Sequence, residues 1–415
     1  MPNFSQANRF MAITTPLGED VLLLDTFSGK EAISEIFHFK LGMYAVDQTA
    51  VKFDELLGQP VTVTFTGETP RYFHGIISRL SQCGRVKGLA DNVVLVRFEA
   101  EMVPQFWLLT KKVQSRIFQQ KSIPEILKEV LQGLDCKYEI QGSFEKRDYC
   151  VQYRETDFDF ASRLMEEEGI YYFFKHTQSG HQMVLANTPQ SHPDVTGPTT
   201  IKYEEEIEGG TRPDERISNW VKSQEIRTGK FTLRDHSFEL PTDNLEAVDP
   251  ITETIQAGMV SHKIKLGVST NLENYDFPGA YAQRFDGVNP GGSDQASNLQ
   301  KVFQDNTRTV RIRMQEEAVA ALGIEAQSDC RLLTSGHKFT LSDHFDANGA
   351  YVLTEVEHKA NIEGAYTPIK TDKSDDKQAV YANKFRCIPA ALPFRPHRRT
   401  HKARVDGTQT AVVVG

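Results

Sequence analysis

Five carboxylates lie close together near the middle of the chain: Asp157, Asp159, Glu166, Glu167 and Glu168. Two carboxylates can divide general acid and base work if they converge on one substrate and burial perturbs one of them. On a helix, however, Glu166 to Glu168 fan out over roughly 200° at about 3.6 residues per turn. They therefore read as a solvated or inter-subunit face. His397 and His401 have the spacing of half a zinc finger, with Cys387 upstream, but no second cysteine stands at a suitable distance. Arg395, Arg398, Arg399, Lys402 and Arg404 form a basic run in which Phe394 is the only aromatic residue. With a net charge of −9 over the whole chain, that run reads as a solvated linker touching neighbouring chains, not a nucleic-acid patch. Asp235-His236 and Asp343-His344 invite a histidine–carboxylate dyad. Adjacent strand residues point to opposite faces, and no G-x-S-x-G elbow accompanies them, so they read as strand-end turns. Tyr171-Tyr172-Phe173-Phe174 reads as core packing and not as a sugar-stacking platform. No Walker or dinucleotide glycine loop occurs. No catalytic, cofactor-binding or metal-ligating residue is assigned, and an enzyme is not expected.

The elements that position these residues are mainly strands. Val61, Val63 and Phe65 alternate with Thr62, Thr64 and Thr66, and Val94, Val96, Phe98 and Ala100 alternate against Arg97, Glu99 and Glu101. Arg9–Thr14 and Asp20–Phe27 flank a Pro16-Leu17-Gly18 turn and suggest a hairpin. Residues 1–110 are thus expected to form a first β-barrel. Residues 111–205 read as an α+β module. Ser122-Ile123-Pro124-Glu125 has the form of a capping box, ahead of an apolar stripe at Ile123, Ile126, Leu127, Val130, Leu131 and Leu134. A second helix is expected over Asp157–Glu168, with Phe158, Ala161, Leu164 and Met165 on one side and Gly169 ending it. A hairpin follows at Ile170–Lys175 and His181–Ala186. The acidic, glycine-ending stretch Glu204–Gly210 marks a boundary.

Residues 206–375 read as a second barrel with an insertion at about 246–324. Phe231-Thr232-Leu233-Arg234-Asp235-His236 echoes Phe339-Thr340-Leu341-Ser342-Asp343-His344, suggesting two equivalent strand-to-turn elements. Inside the insertion, Thr307–Leu322 reads as a helix with Val310, Met314, Ala318 and Ala321 on one face, and Asn289–Ser293 as a loop. Residues 376–404 read as a linker, and 405–415 as the first strand of a further domain. The 415 residues include five cysteines, Cys83, Cys136, Cys150, Cys330 and Cys387, with wide spacings and no CxxC pair. That pattern suits reduced thiols in a protein folded in the cytosol. The N-terminus lacks a basic segment followed by an apolar run, so a signal peptide is not expected, and no stretch is long and apolar enough for a membrane helix.

The block from Cys150-Val151-Gln152-Tyr153-Arg154-Glu155-Thr156-Asp157-Phe158 through Arg163-Leu164-Met165-Glu166-Glu167-Glu168-Gly169-Ile170 to Phe174 resembles a signature of VgrG-type spike proteins of type VI secretion. Phe73-His74-Gly75-Ile76, Ser115–Gln119 and Tyr351–His358 are similar to other stretches of that family, and 407–415 resembles the entry strand of its OB-fold. The resemblance implies an α+β, mainly β fold like a phage tail hub: two similar β-barrels per chain, six in a ring of three chains. It implies a homotrimer that joins a hexameric, Hcp-like tube to a membrane-puncturing spike. Effectors or a tip protein would bind through a C-terminal region beyond residue 415. It also implies assembly in the bacterial cytoplasm and export by the contractile apparatus. The tail hub of a contractile phage or phage-derived particle is the alternative.

Overall fold

The computed structural model describes residues 4–89, 93–205, 215–285, 296–362, 364–367, 381–404 and 407–408. Six strands come first: β1 (Met11–Thr14), β2 (Leu23–Ala32), β3 (His38–Val46), β4 (Pro60–Phe65), β5 (Arg71–Lys87) and β6 (Val94–Val103). They are ordered β1-β4-β5-β6-β3-β2, every neighbouring pair antiparallel. Most of the alternating residues face as their period requires, since Val61, Val63, Phe65, Val96, Phe98 and Ala100 are buried while Arg97 and Glu99 are exposed; Val94 at the strand start is exposed, however, and Thr62 is buried. Phe27, Phe39, Phe65 and Phe73 fill the barrel, with ring centroids 4.7 to 5.3 Å apart. Burying each such ring stabilises the fold by about 1.5–3 kcal/mol.

The next elements are β7 (Val113–Lys121), α1 (Ile123–Val130), β8 (Cys136–Glu139), β9 (Arg147–Thr156), α2 (Asp157–Glu168), β10 (Tyr171–His176) and β11 (His181–Ala186). The capping box forms at α1, where Glu125 accepts from the Ser122 backbone N–H at 2.8 Å. Ile123, Ile126, Leu127, Val130 and Leu131 are buried against the same core as the first barrel. Thr156 caps α2 by accepting from the Asp159 N–H at 2.9 Å, and Gly169 ends it at φ +66°, a left-handed conformation that glycine adopts without a Cβ clash.

A second barrel follows, interrupted by an insertion. Its first two strands are β12 (Thr200–Tyr203) and β13 (Arg216–Gln224). The insertion carries β14 (Lys230–Asp235), β15 (Leu245–Pro250), β16 (Thr254–Ala257), β17 (Val260–Lys263), β18 (Glu273–Asp276) and α3 (Ala296–Ala320). The barrel resumes with β19 (Leu322–Ser328), β20 (Lys338–Ser342), β21 (Gly349–Asn361) and β22 (Tyr381–Pro389). Its strands run β12-β20-β21-β22-β19-β13, and the β12–β13 pair closes the ring. Numbered within each barrel, both sheets have the order 1-4-5-6-3-2. Strand 1 differs in direction: β1 is antiparallel to β4, whereas β12 is parallel to β20. The barrels are joined edge to edge by an antiparallel ladder between β2 and β21, from Thr26 opposite Asn361 to Ala32 opposite Glu355.

Several expectations are corrected. The Arg9–Thr14 and Asp20–Phe27 segments are not a laddered hairpin, because β1 pairs with β4. The Gln6 amide stands between them instead, accepting from the N–H of Ile13 at 2.9 Å and of Leu24 at 3.1 Å. The echo of 231–236 in 339–344 is not a repeat: β14 belongs to a separate sheet with β15 and β18, while β20 is in the barrel. The second barrel begins with β12, ahead of residue 206, and its insertion lies between β13 and β19, so β14 belongs to it. The expected linker 376–404 contains β22, which closes the barrel against β19 and β21. The helix expected at Thr307–Leu322 starts earlier and stops at Ala320, and Leu322 opens a strand; its Val310, Met314, Ala318 and Ala321 are buried as expected. The expected loop at 289–293, the stretch 206–210 and nearly all of 405–415 lie outside the described residues.

Candidate functional site at the seam between the barrels

Strand β10 shows how the two halves share one framework. Its side chains alternate by strand geometry, so Tyr172 and Phe174 enter the first core and Tyr171 and Phe173 the second. All four are buried, as core packing requires. Gly336 sits against this strand at φ +75°, where an added Cβ would lie 2.4 Å from the Phe173 ring.

Beside the β2–β21 ladder lies a buried ionic node. Glu31 on β2 is 1% exposed and accepts from Arg71 on β5 at 3.1 Å and from His358 on β21 at 3.1 Å. Asn383 donates to the Tyr381 hydroxyl at 3.1 Å, and that hydroxyl lies 2.7 Å from His358 Nδ1. The chain of donors runs one way: Asn383 to Tyr381, Tyr381 to His358, and neutral His358 through Nε2–H to Glu31. Burial by itself would raise Glu31, but Arg71 and then the His358 hydrogen bond overrule it and hold the carboxyl down to about 2. Burial pushes His358 down, with Glu31 opposing. The second Glu31 oxygen has no hydrogen bond and faces the equally unbonded Nε2 of His176 across 3.9 Å. Glu31 and His358 are 327 residues apart in sequence. Sequence reasoning missed this node, although Arg71 precedes the Phe73–Ile76 stretch and His358 ends the Tyr351–His358 stretch.

The acidic run on α2 is not the solvated face expected of it. Glu168, 3% exposed, is ion-paired to Arg147 and to Arg308 on α3. Glu167 pairs with Arg147 at 2.8 Å. Burial would raise both acids, but the Arg147 charge and its arginine neighbours hold each down to about 2. Glu166 points elsewhere, to the Arg399 and Thr400 N–H groups at 3.1 and 3.0 Å. Burial raises it despite those bonds. Glu167 and Glu168 thus share Arg147, while Glu166 is turned to a different partner, the backbone at Arg399 and Thr400. Arg163, also on α2, grips Glu155 on β9 through two hydrogen bonds of 2.8 and 2.7 Å, and Asp157 receives Arg116 at 2.6 Å. The block that carries the family resemblance is therefore a helix bolted to a strand by a buried bidentate pair and further ion pairs.

The basic tail is likewise docked, not free. Arg395 donates to the carbonyls of Gly169 at 2.7 Å and Asn187 at 2.8 Å and to Gln315 at 2.8 Å, and burial pushes it down to about 10. His397 lies 3.2 Å from Glu316, and Cys387 is buried inside the second barrel. Among the described residues no cluster of three or more His, Cys, Asp or Glu side chains is arranged to hold a metal ion. Asp235 accepts from the backbone N–H groups of His236 and Ala282, and the His344 ring Nδ1 lies 3.2 Å from Asp346, two residues on, and not against Asp343. All five cysteines are free thiols.

What the fold presents is a pair of like barrels joined by a charged, buried seam. The family model of the phage tail baseplate hub (GPD) matches residues 30–364, and the chain belongs to that family. It is similar to two type VI secretion system spike proteins of Pseudomonas aeruginosa. VgrG1c is 32% identical over 99% of this chain and 52% of its own length, and VgrG1a 32% over 99% and 58%. The chain thus spans a little over half the length of these relatives. Among solved structures, an Escherichia coli type VI secretion component, described as similar to the T4 bacteriophage tail proteins gp27 and gp5, matches with a TM-score of 0.57. The identity is 16%, and the match covers 94% of this chain and 79% of that one. A 43 kDa tail protein of prophage MuSo2 from Shewanella oneidensis matches with a TM-score of 0.54 at 12% identity, over 92% of this chain and 99% of that one. The two likenesses agree with the two-barrel fold.

Proposed function

We propose that this chain is the hub of a type VI secretion spike, a structural part that adapts a threefold spike to a sixfold tube. The observation that carries this reading is the pair of barrels with one strand order, fused rigidly in each chain. Three copies then present six like barrels, which suits docking on a hexameric, Hcp-like tube, while the chain as a whole remains threefold. Effectors or a tip protein would attach through a C-terminal region beyond these residues, and that region would meet the target membrane. Assembly in the bacterial cytoplasm and export by contraction follow from this role. Neither catalysis nor nucleic-acid binding belongs to it. The buried contacts of Glu31 with Arg71 and His358, and of Glu168 with Arg308, suit a part that transmits force, since each ties elements distant in sequence.

The test is the molar mass by light scattering, with the expected value three times 46.9 kDa. A monomer at every concentration would overturn the hub reading for this chain. The likeness to a prophage tail protein, over 92% of this chain, supports a second reading, the hub of a phage or phage-derived particle. Binding to a secretion tube protein and not to a phage tube protein would decide for the first.

A further inference from the structure

We infer that the barrel-to-barrel contact inside one chain is repeated between chains, with β5 of one copy laid antiparallel against β13 of the next. Within the chain, strand 2 of the first barrel (β2) pairs with strand 5 of the second (β21). The equivalent strands that remain are strand 5 of the first barrel, β5, and strand 2 of the second, β13. Both are among the five strands whose order and direction the barrels share.

The correspondence extends to detail. The β5–β6 ladder has a bulge between Ile77 and Arg79, matching one between Leu353 and Glu355 in the β21–β22 ladder; a second β5–β6 irregularity, between Gln82 and Arg85, has no counterpart there. The β2–β3 ladder is bulged between Leu24 and Thr26, and β13–β19 between Ser218 and Val221. Strand β20 covers only the first part of β21, Gly349–Val352, leaving the part after the bulge to β2. In the same way β4 covers only Arg71–Ile76 of β5. Beyond its bulge, β5 is laddered to β6 on one side and to no described strand on the other. On β13, β12 covers Arg216 and Ile217, and Val221–Gln224 are laddered only to β19. Val221 is 58% exposed there.

Each half of the contact is therefore an open strand edge, and an open edge templates pairing with another chain. The two edges are different surfaces of one molecule, so their contact is head to tail, and head-to-tail contacts close into rings when the rotation permits. The occupant of each edge is a second copy of this chain, because the in-chain junction already shows which strand fits it. This inference rests on the ring-forming reading above.

A native thiol provides the test. Cys83 lies on the open part of β5, half-buried within a second irregularity of the β5–β6 ladder between Gln82 and Arg85. On β13, Trp220 packs inward on Tyr351, so Val221 and Ser223 face outward. Slips of two residues preserve facing, so both positions are probed: Val221→Cys and Ser223→Cys, each in the full chain. Opposed residues of an antiparallel pair lie roughly 4.5–5.5 Å apart, within disulfide reach. Under mild oxidation at least one variant is expected to give covalent species of two and three chains, lost when Cys83→Ala is added. A chain that is trimeric by light scattering yet never cross-links through Cys83 would overturn this contact and leave the hub reading intact. A monomer would overturn both.

Discussion

The two barrels reach one strand order by different closures. In the first, a side chain fills the gap between β1 and β2: Gln6 bonds both edges where no ladder forms. In the second, a short backbone pair closes the ring, because β12 runs in the opposite direction to its counterpart. The first core is centred on a cluster of phenylalanines, with Tyr172 and Tyr381 at its margin, whereas the centre of the second includes Tyr351 packed against Trp220. The second also tolerates a long insertion between its strands 2 and 3. The difference teaches that this architecture depends on which edges pair and much less on what fills the middle.

That comparison can be broken most strongly by acid. His181 faces the first core, and His192 and His337 the second; burial is the main cause that pushes each from 6.5 to about 4. Folded imidazoles then bind fewer protons than unfolded ones between pH 6.5 and about 4, so stability falls as pH is lowered through that window. Each group contributes at most about 1.4 kcal/mol per pH unit, giving an expected loss of several kcal/mol between pH 7 and 5. Urea melts across that range, with a flat midpoint above pH 7, would check it. Amide exchange would show whether both barrels loosen together.

Glu31→Gln removes the counter-charge of buried Arg71 and is expected to cost about 3–5 kcal/mol. Adding Arg71→Met should recover part of that loss in the same melts. Because Glu31 is held near 2, its contribution is fully present above the ordinary carboxylate range and is lost only as pH falls towards 2. A smaller effect, about 1–3 kcal/mol, is expected for Gln6→Ala, which leaves the Ile13 and Leu24 amides unpartnered. Faster exchange confined to the first barrel would separate its closure from that of the second. The smallest change, about 1 kcal/mol, is expected for Ser122→Ala at the α1 cap, read by thermal melting.

Sequence alone determined what is local. The helix Asp157–Glu168 was legible to the residue because its cap, its apolar side and its terminating glycine all lie within one short segment. The capping box at Ser122, the facing of Val61, Val63 and Phe65, and the hairpin after Gly169 were legible for the same reason. Only the tertiary structure decided what is distant: that β22 closes the second barrel, that the 231–236 echo is outside it, and that Glu31 meets Arg71 and His358. It also decided that Glu168 is buried and Glu167 half-buried, since the arginines that neutralise them arrive from β9 and α3. Side-chain periodicity records which face of a strand is apolar but not which partner its backbone will bond. Every edge offers the same N–H and C=O groups, and only the folded arrangement selects among them.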